Sequence, residues 1–309
     1  MNYEETLINL AEKNNNIVVM TAENRAAIRN LPSKIKNQFV DVGISEQTMI
    51  GMAAGLALRG RIPVVHALST FLTMRAFEFI RTDVGIGNLP VKIVGAVAGF
   101  LSEANGPTHQ AIEDIALMRG IPNMQVFAPA DEEDLLIAFP EIINSHNPSY
   151  IRYTNSKAPV SHNKEFKIGK AEIISEGDDI TILTYGTLFN EALIAAEILR
   201  AKDRSAGLIN LRTLKPVDHE AIENICLKSK LIVTLEDHFI TGGLYSILSE
   251  LLVIKRINTR ILPIALNNKW FKPALLRDVL EYEGFTGEAI ADKIIKHEQE
   301  KHIATEYFY

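Results

Sequence analysis

Three short polar segments in the first half of the chain carry the side chains most suited to chemistry. They are residues 43–47 (Gly-Ile-Ser-Glu-Gln), 69–71 (Ser-Thr-Phe) and 105–110 (Asn-Gly-Pro-Thr-His-Gln). Each follows a run of strand-like residues, and open α/β sheets bind their ligands at the carboxyl ends of strands. The sequence therefore predicts that a carboxylate, an aromatic ring and an imidazole all belong to the ligand-binding edge of a sheet.

Two of these side chains, Glu46 and His109, also have a plain structural interpretation. Glu46 stands where an apolar helix begins, and the helix dipole favours any carboxylate there. His109 stands just before a helix, where a histidine can cap or pack. The residues alone leave these interpretations open beside a catalytic one. The sequence contains no HExxH, paired CxxC, Walker loop or GxGxxG after a strand that would point to another kind of site.

Apolar runs of strand length alternate with helical patterns along the whole chain. Strands are predicted at residues 17–20, 39–42, 63–68, 91–97, 125–128, 180–184, 206–210, 231–235 and 260–264. Helices are predicted at residues 6–13, 48–58, 75–84, 110–118, 132–143, 190–202, 218–227, 244–254 and 286–300. This alternation is typical of parallel sheets with helices on both faces. The fold class expected is α/β, with two three-layer α/β/α domains and mostly parallel sheets.

A polar segment near the middle of the chain predicts the boundary between the two domains. Residues 155–167 are polar and contain Pro159, as interdomain linkers often do. We therefore expect a first domain at residues 1–158 and a second at residues 168–309. The length of 309 residues agrees with two domains of roughly 150 residues each.

The composition excludes several classes of protein. A net charge of −6 disfavours nucleic-acid binding, because phosphate backbones attract basic surfaces. The one cysteine, Cys226, cannot form an intrachain disulfide, which fits a reducing compartment. The apolar stretches are shorter than the ~20 residues that span a bilayer, and the N-terminus lacks a basic signal region. These features favour a cytoplasmic protein.

Several motifs occur in a fixed order along nearly the whole chain. Residues 41–51 read Asp-Val-Gly-Ile-Ser-Glu-Gln-Thr-Met-Ile-Gly, and residues 106–124 combine Gly-Pro-Thr-His-Gln with a later Ile-Pro-Asn-Met. Further motifs lie at residues 75–81, 210–216, 236–238 and 242–244. Together they resemble the C-terminal half of the transketolase family of thiamine diphosphate enzymes. The resemblance implies a pyrimidine-binding domain followed by that family's C-terminal domain.

The resemblance also implies roles for individual side chains. Glu46 matches the glutamate that hydrogen-bonds N1′ of the cofactor's aminopyrimidine and promotes removal of the thiazolium C2 proton. Phe71 is the first choice for the aromatic ring that stacks on the aminopyrimidine, and Phe77 is the second. His109 matches a substrate-contacting histidine that can stabilise an oxyanion or hydroxyl at the reacting carbon. Asn105 stands where transketolases commonly have an Asp that reads a sugar hydroxyl.

One family motif is missing from the sequence. Family members hold the diphosphate and Mg²⁺ through a Gly-Asp-Gly segment, and no Gly-Asp-Gly occurs in these 309 residues. A diphosphate needs both a metal and an anion site. The resemblance therefore implies a separate N-terminal partner subunit that carries the diphosphate domain and holds most of the Mg²⁺ coordination. We expect a homodimer of this chain within a heterotetramer.

The residues that grip the substrate's terminal phosphate in transketolases are also missing. The positions of that family's Ser, His and Arg fall at about Ala27, Val97 and Asn155, none of which binds a dianion in the same way. The resemblance thus implies a substrate without this phosphate, either a free sugar or one modified in another way. The nearby cations able to rebuild the site are Arg25, Arg29, Arg152 and Arg75, the last of which is also our substrate-binding candidate.

Three functions remain in view. The leading hypothesis is the C-terminal subunit of a two-component transketolase that transfers a two-carbon ketol unit. The alternative enzyme is a 2-oxo-acid dehydrogenase E1 beta-like subunit or another decarboxylase subunit, which shares the domain order. The non-enzyme alternative is a catalytically silent binding or regulatory subunit, which the intact Glu46 and His109 disfavour. Residues 236–238, Glu-Asp-His, are interpreted as a structural network.

Overall fold

The computed structural model describes residues 1–101 and 105–304, with side chains up to residue 299. The strands in this part are β1 (Ile17–Thr21), β2 (Phe39–Asp41), β3 (Ile62–Leu68), β4 (Lys92–Ala96), β5 (Gln125–Phe127), β6 (Ser149–Arg152), β7 (Glu172–Ser175), β8 (Ile180–Thr184), β9 (Ala206–Asn210), β10 (Thr213–Lys215), β11 (Leu231–Phe239) and β12 (Ile261–Leu266). The α-helices are α1 (Tyr3–Lys13), α2 (Leu31–Lys34), α3 (Glu46–Leu58), α4 (Phe77–Phe79), α5 (Asp114–Arg119), α6 (Glu132–Asn144), α7 (Phe189–Ala201), α8 (His219–Lys228), α9 (Leu244–Lys255), α10 (Leu276–Glu283) and α11 (Gly287–Ala304).

The first sheet has seven strands in the order β10-β5-β6-β4-β3-β1-β2. Six of them run parallel, and β10 pairs antiparallel with β5 at the edge. All five residues of β1 are buried, as expected for a strand with helices on both faces of its sheet. Parallel strands bring their carboxyl ends to one edge, where the loops after β2, β3 and β4 emerge.

The second sheet has five strands in the order β12-β11-β8-β9-β7. Four run parallel, and β7 pairs antiparallel with β9. The predicted fold class of two mostly parallel α/β sheets is therefore confirmed. Every described helix is too short or too polar to span a lipid bilayer.

The two halves of the chain are joined by a shared sheet and a shared apolar core as well as by the segment between them. Strand β10 belongs to the second half of the sequence but extends the first sheet. One apolar cluster contains Val65 and Ile115 of the first half together with Ile209 and Leu248 of the second. Residues 155–167, the predicted linker, form neither helix nor strand, and His162 within this segment is buried.

Two helix predictions near the candidate site differ from the structure. Residues 75–84 are mostly helical, as expected, but π-helical turns at Phe71–Arg75 and Ile80–Gly85 flank the short α-helix α4. A helix was also expected from residue 110, but α5 begins at Asp114. The reason is that backbone groups before Asp114 pair elsewhere: the carbonyls of Ala111 and Ile112 accept from the amides of Gly99 and Phe239. Strands β6, β7 and β10 and helices α2 and α10 were not predicted.

Candidate active site

Glu46 is the first residue of α3, just beyond the end of β2. Its side chain is only 2% exposed, and its Oε2 atom accepts a hydrogen bond from Nη1 of Arg75 at 3.0 Å. Gly43 makes the turn into the helix with φ +70°, a conformation that glycine adopts without steric cost. Among the described residues, Oε1 of Glu46 has no hydrogen-bond donor. One oxygen of a buried carboxylate is thus left to accept from a bound group.

Arg75 connects this carboxylate to the aromatic ring of Phe71. Both residues lie in the π-helical turn that follows β3, and such turns occur frequently at functional sites. The guanidinium carbon of Arg75 lies 4.1 Å from the centre of the Phe71 ring, which is a cation–π contact. The wide turn therefore lets one arginine cover the ring and reach Glu46 at the same time.

His109 completes the group through a ring contact with Phe71. It ends the short turn Pro107–His109 on the segment that follows β4. The ring centres of His109 and Phe71 are 5.1 Å apart, with their planes at 68°. The Nδ1 atom of His109 lies 3.0 Å from Oγ1 of Thr108. The three polar segments singled out in the sequence thus meet, through Arg75, at the carboxyl edge of the first sheet.

Comparison with known proteins identifies the family. The profile of the transketolase pyrimidine binding domain matches residues 1–160, and that of the transketolase C-terminal domain matches residues 169–290. The chain belongs to the transketolase family. A proposed transketolase C-terminal section of Methanocaldococcus jannaschii is 38% identical to it, over 95% of this chain and 94% of the relative.

Other members of the transketolase family show how this chain relates to larger enzymes. A 6-deoxy-6-sulfo-D-fructose transketolase subunit of Clostridium sp. strain MSTE9 is 39% identical, over 81% of this chain and 79% of the subunit. The 1-deoxy-D-xylulose-5-phosphate synthase of Dictyoglomus thermophilum is 38% identical, but the match spans only 48% of that enzyme. A solved split gene transketolase, an inactive beta4 tetramer, matches with a TM-score of 0.86 and 32% identity, over 95% of this chain and 96% of that one.

The structure separates the two aromatic candidates. Phe71 contacts Arg75 and His109, whereas Phe77 is partly buried and packs against the apolar core. Phe71 is therefore the ring that belongs to the group around Glu46. Asn105 is exposed, four residues before His109 on the same segment. Its contact with a sugar remains a prediction.

Thiamine diphosphate is the cofactor of the transketolase family, and the group around Glu46 fits its aminopyrimidine end. Glu46 offers a buried acceptor oxygen, and Phe71 offers an aromatic face on which a heteroaromatic ring can stack. Arg75 covers one face of the Phe71 ring. A stacked ring must therefore take the opposite face or displace the guanidinium.

Mg²⁺ finds no comparable fit among the described residues. Ligand atoms of Asp134, His162 and Glu172 lie within 4.8 Å of one another, which is close enough to hold an ion. However, Arg212 already forms ion pairs of 2.8 Å with Asp134 and with Glu172. The cation in this cluster is thus a guanidinium, and the cluster holds the linker to both domains rather than a metal.

Nothing in the sequence indicated the buried network around Arg152. Arg152 itself was named only as a candidate for binding phosphate. Arg152 donates to both carboxylate oxygens of Asp114, at 2.8 and 2.6 Å, and to Asp237 at 2.5 Å. Burial alone would raise the pKa of Asp114, but the Arg152 guanidinium outweighs it and holds the pKa below its usual value. Because Asp114 follows the His109 segment and Asp237 lies in β11, Arg152 fixes that segment to the second domain.

Residues 236–238 have contacts of the structural kind expected for them. Glu236 accepts from the backbone amides of Leu244 and Tyr245, at 2.6 and 3.0 Å, and so caps α9. Burial raises the pKa of this carboxyl to about 7 despite those hydrogen bonds. The Nε2 atom of His238 accepts from the amide of Ala116 in α5. The bond of His238 again ties the second domain to the segment that follows His109.

Proposed function

We propose that this chain is the C-terminal subunit of a two-component transketolase, which transfers a two-carbon ketol unit from a ketose donor to an aldose acceptor. The observation that supports this best is the contact series from Glu46 through Arg75 and Phe71 to His109. It gathers an acid–base group, a stacking ring and an imidazole where parallel sheets bind ligands. Relatives of matching length, including a split gene transketolase, support the two-component arrangement.

Each side chain has a defined task in this proposal. Bound thiamine diphosphate supplies the carbanion chemistry of ketol transfer. Glu46 shares a proton with N1′ of the aminopyrimidine, and burial of the carboxylate strengthens that hydrogen bond. Phe71 supports the pyrimidine by stacking, while His109 stabilises charge on the oxygen at the reacting carbon. Asn105 hydrogen-bonds a sugar hydroxyl, which an amide does as donor or acceptor.

A separate N-terminal subunit supplies the diphosphate and Mg²⁺ site in this proposal. The sequence has no Gly-Asp-Gly segment, and the carboxylate cluster with His162 already contains Arg212. Two copies of this chain pair with two copies of the partner, so that each Glu46 faces one diphosphate site.

Reconstitution tests the proposal. The chain and its candidate partner are purified separately, and ketol transfer is measured for each alone and for the mixture with thiamine diphosphate and Mg²⁺. We expect activity only from the mixture, and full activity from this chain alone would contradict the two-component arrangement. Turnover of 2-oxo acids without turnover of ketoses would favour the decarboxylase alternative. A stable complex that turns over neither class would favour the silent regulatory subunit.

We further infer that the preferred substrate lacks the terminal phosphate of ordinary transketolase substrates. Ala27, Val97 and Asn155 stand where the family resemblance places the phosphate-binding side chains, and none carries a charge. Val97, directly after β4, has φ +58°, which is costly for a β-branched residue and is typical of functional sites. A relative named for 6-deoxy-6-sulfo-D-fructose supports a substrate with a different terminal group.

Three of the four cations named as replacements for those side chains are already paired. Arg152 is bound by Asp114 and Asp237, and its side chain is 5% exposed. Arg25 pairs with Asp41, and Arg75 pairs with Glu46. Arg29 is exposed, and it is the remaining candidate of the four.

A substrate competition tests this inference on the reconstituted pair. D-Fructose 6-phosphate, 6-deoxy-6-sulfo-D-fructose and D-fructose are compared by kcat/KM. We expect kcat/KM for D-fructose 6-phosphate to be at least about tenfold below that of the better of the other two ketoses. A tenfold difference corresponds to the loss of about one charged contact. Asn155→Arg should recover turnover of the phosphate ester, whereas Asn190→Arg, at an exposed position of α7, should not. A wild-type preference for fructose 6-phosphate would contradict the inference.

A further inference from the structure

A cavity of about 620 Å³ opens at the carboxyl edge of the second sheet. Its lining consists of residues 239–241 and 267–270, which include none of the residues around Glu46. Strands β11 and β12 are parallel neighbours that end at Phe239 and Leu266, so the lining lies where both strands stop. Open parallel sheets bind ligands at this position, and the volume lies within the usual range for small-molecule sites.

The side chains of the lining combine an aromatic face with neutral polar groups. Trp270 is 60% exposed, although tryptophan is on average highly buried. Asn267 and Thr241 also line the cavity, and their amide and hydroxyl groups both donate and accept hydrogen bonds. Lys269 is the one charged residue of the lining, and its Nζ atom lies 2.5 Å from Oε2 of Glu283. The lining therefore contains a single cation, which already has a carboxylate partner.

The residue that follows the lining anchors it to the protein core. Phe271, the residue after the lining, is 2% exposed, and its carbonyl accepts from Nε2 of Gln110 at 2.7 Å. Its ring packs edge-on against Phe100, with centres 5.3 Å apart. Asn268 is in the left-handed region at φ +50°, which asparagine tolerates better than most residues. The backbone conformation therefore explains why an asparagine occupies position 268. Asn267 has no positive φ, so its amide group is not explained in this way.

We propose that this cavity is a binding site for a free, uncharged sugar. The C–H face of a sugar ring packs on an exposed indole through many weak contacts, and its hydroxyls match groups that both donate and accept. Because the one cation of the lining is already paired, a phosphate ester gains no advantage over the free sugar. Binding here requires neither the partner subunit nor thiamine diphosphate, so the proposal does not depend on the function proposed above.

The fluorescence of Trp270 tests the proposal, because it is the one tryptophan among the 309 residues. The purified full chain is titrated with D-fructose, D-xylulose and D-glucose, with glucose 6-phosphate and adenosine as comparisons. We expect a saturable change with at least one free sugar and a dissociation constant in the millimolar range. Asn267→Ala should weaken it about fivefold, the effect of one hydrogen bond of about 1 kcal/mol. The control Asn190→Ala, at an exposed site on α7, should leave it unchanged.

Several results would overturn the proposal. One is a linear, unsaturable change in fluorescence that is equal in the wild type, Asn267→Ala and Asn190→Ala. Another is a fluorescence response to adenosine without a response to any sugar. A third is tenfold tighter binding of glucose 6-phosphate than of the free sugars. Calorimetry with Trp270→Ala covers the case of binding that leaves the fluorescence unaltered. Heat of sugar binding that persists undiminished in both Trp270→Ala and Asn267→Ala would place the sugar elsewhere.

Discussion

The side chain of Arg75 is 42% exposed, and its Nη1 atom lies 3.0 Å from Oε2 of the buried Glu46. The arginine thus reaches from the surface to a carboxylate that is 2% exposed. A buried carboxylate without a partner is costly, and the ion pair with Arg75 gives Glu46 such a partner. Because only one oxygen is engaged among the described residues, the pair orients the carboxylate without using all of its acceptor capacity.

The first prediction concerns Glu46. Replacement by Gln keeps the shape of the side chain but removes its ability to exchange a proton with a ring nitrogen. In the reconstituted complex, we expect Glu46→Gln to slow exchange of the cofactor's C2 proton by roughly 10²–10⁴-fold, the scale of a positioned acid–base group. Exchange is followed by NMR after quenching in deuterated buffer.

The matched control for Glu46→Gln is Glu78→Gln, because Glu78 is an exposed glutamate in α4. This control should exchange at the wild-type rate. If Glu46→Gln binds the cofactor and also exchanges at that rate, Glu46 does not have the proposed role.

The second prediction concerns Asn105. The substitution Asn105→Asp restores the residue common in transketolases, adds a negative charge and removes the two amide donors. We expect the ratio of kcat/KM between two ketoses that differ at one hydroxyl to change by about threefold to tenfold, while the Kd of thiamine diphosphate stays the same. Asn190→Asp adds the same charge at an exposed position of α7 and should leave the ratio unchanged. An unaltered ratio across a panel of ketoses would remove Asn105 from substrate recognition.

The sequence was sufficient to predict the fold class and the meeting of three polar segments at one edge of the first sheet. Runs such as residues 17–20, Ile-Val-Val-Met, are continuously apolar, and strand-like runs alternate with helical patterns in both halves of the chain. Glu46, Phe71 and His109 each follow a strand, so parallel topology alone places them at one edge. Arg75 could not be paired with Glu46 from the sequence, because the pairing depends on a π-helical turn that apolar periodicity reads as an ordinary helix.

The long-range partners of buried charges were also beyond sequence reasoning. Arg152 follows the apolar residues of β6, and a buried cation there requires carboxylates, but the sequence does not say which. Asp114 is 38 residues away and Asp237 is 85 residues away along the chain. The lining at residues 267–270 lacks helix or strand, so no periodicity indicated its place at the edge of the second sheet.

The third prediction concerns the stability of the Arg152 network. Arg152→Met leaves the carboxylates of Asp114 and Asp237 buried without their cation, and we expect the free energy of unfolding to fall by about 3–5 kcal/mol. Urea unfolding measures this loss. Adding Asp237→Asn to Arg152→Met removes one unpaired charge and should recover part of it.

The control for Arg152→Met is Arg81→Met, at an exposed arginine in the π-helical turn of the first domain. Its free energy of unfolding should stay within about 0.5 kcal/mol of the wild type. Equal stability of Arg152→Met and Arg81→Met would show that the buried network contributes nothing beyond packing.

The last prediction concerns His162, which is buried in the linker between the domains. Burial lowers the pKa of its ring, but the carboxylates of Asp131 at 2.6 Å and Glu172 at 2.8 Å outweigh burial and raise the pKa to about 10. The same ring in the unfolded chain has a pKa of about 6.5. The folded protein therefore keeps a proton that the unfolded chain loses between these two values. This contribution to stability is complete below about pH 6.5 and disappears as the pH rises towards 10.

Urea midpoints at pH 6, 7.5 and 9 test this for the wild type, for His162→Gln and for His219→Gln at the exposed start of α8. Gln at position 162 keeps hydrogen-bonding groups but carries no titrating proton, so it should be less stable than the wild type by about 2–4 kcal/mol at pH 6. The difference should shrink steadily towards pH 9, because only the wild type loses the His162 contribution. His219→Gln should follow the wild-type curve. Parallel curves for the wild type and His162→Gln would mean that His162 does not carry the extra proton in the folded state, and that its bonds to Asp131 and Glu172 are those of a neutral ring.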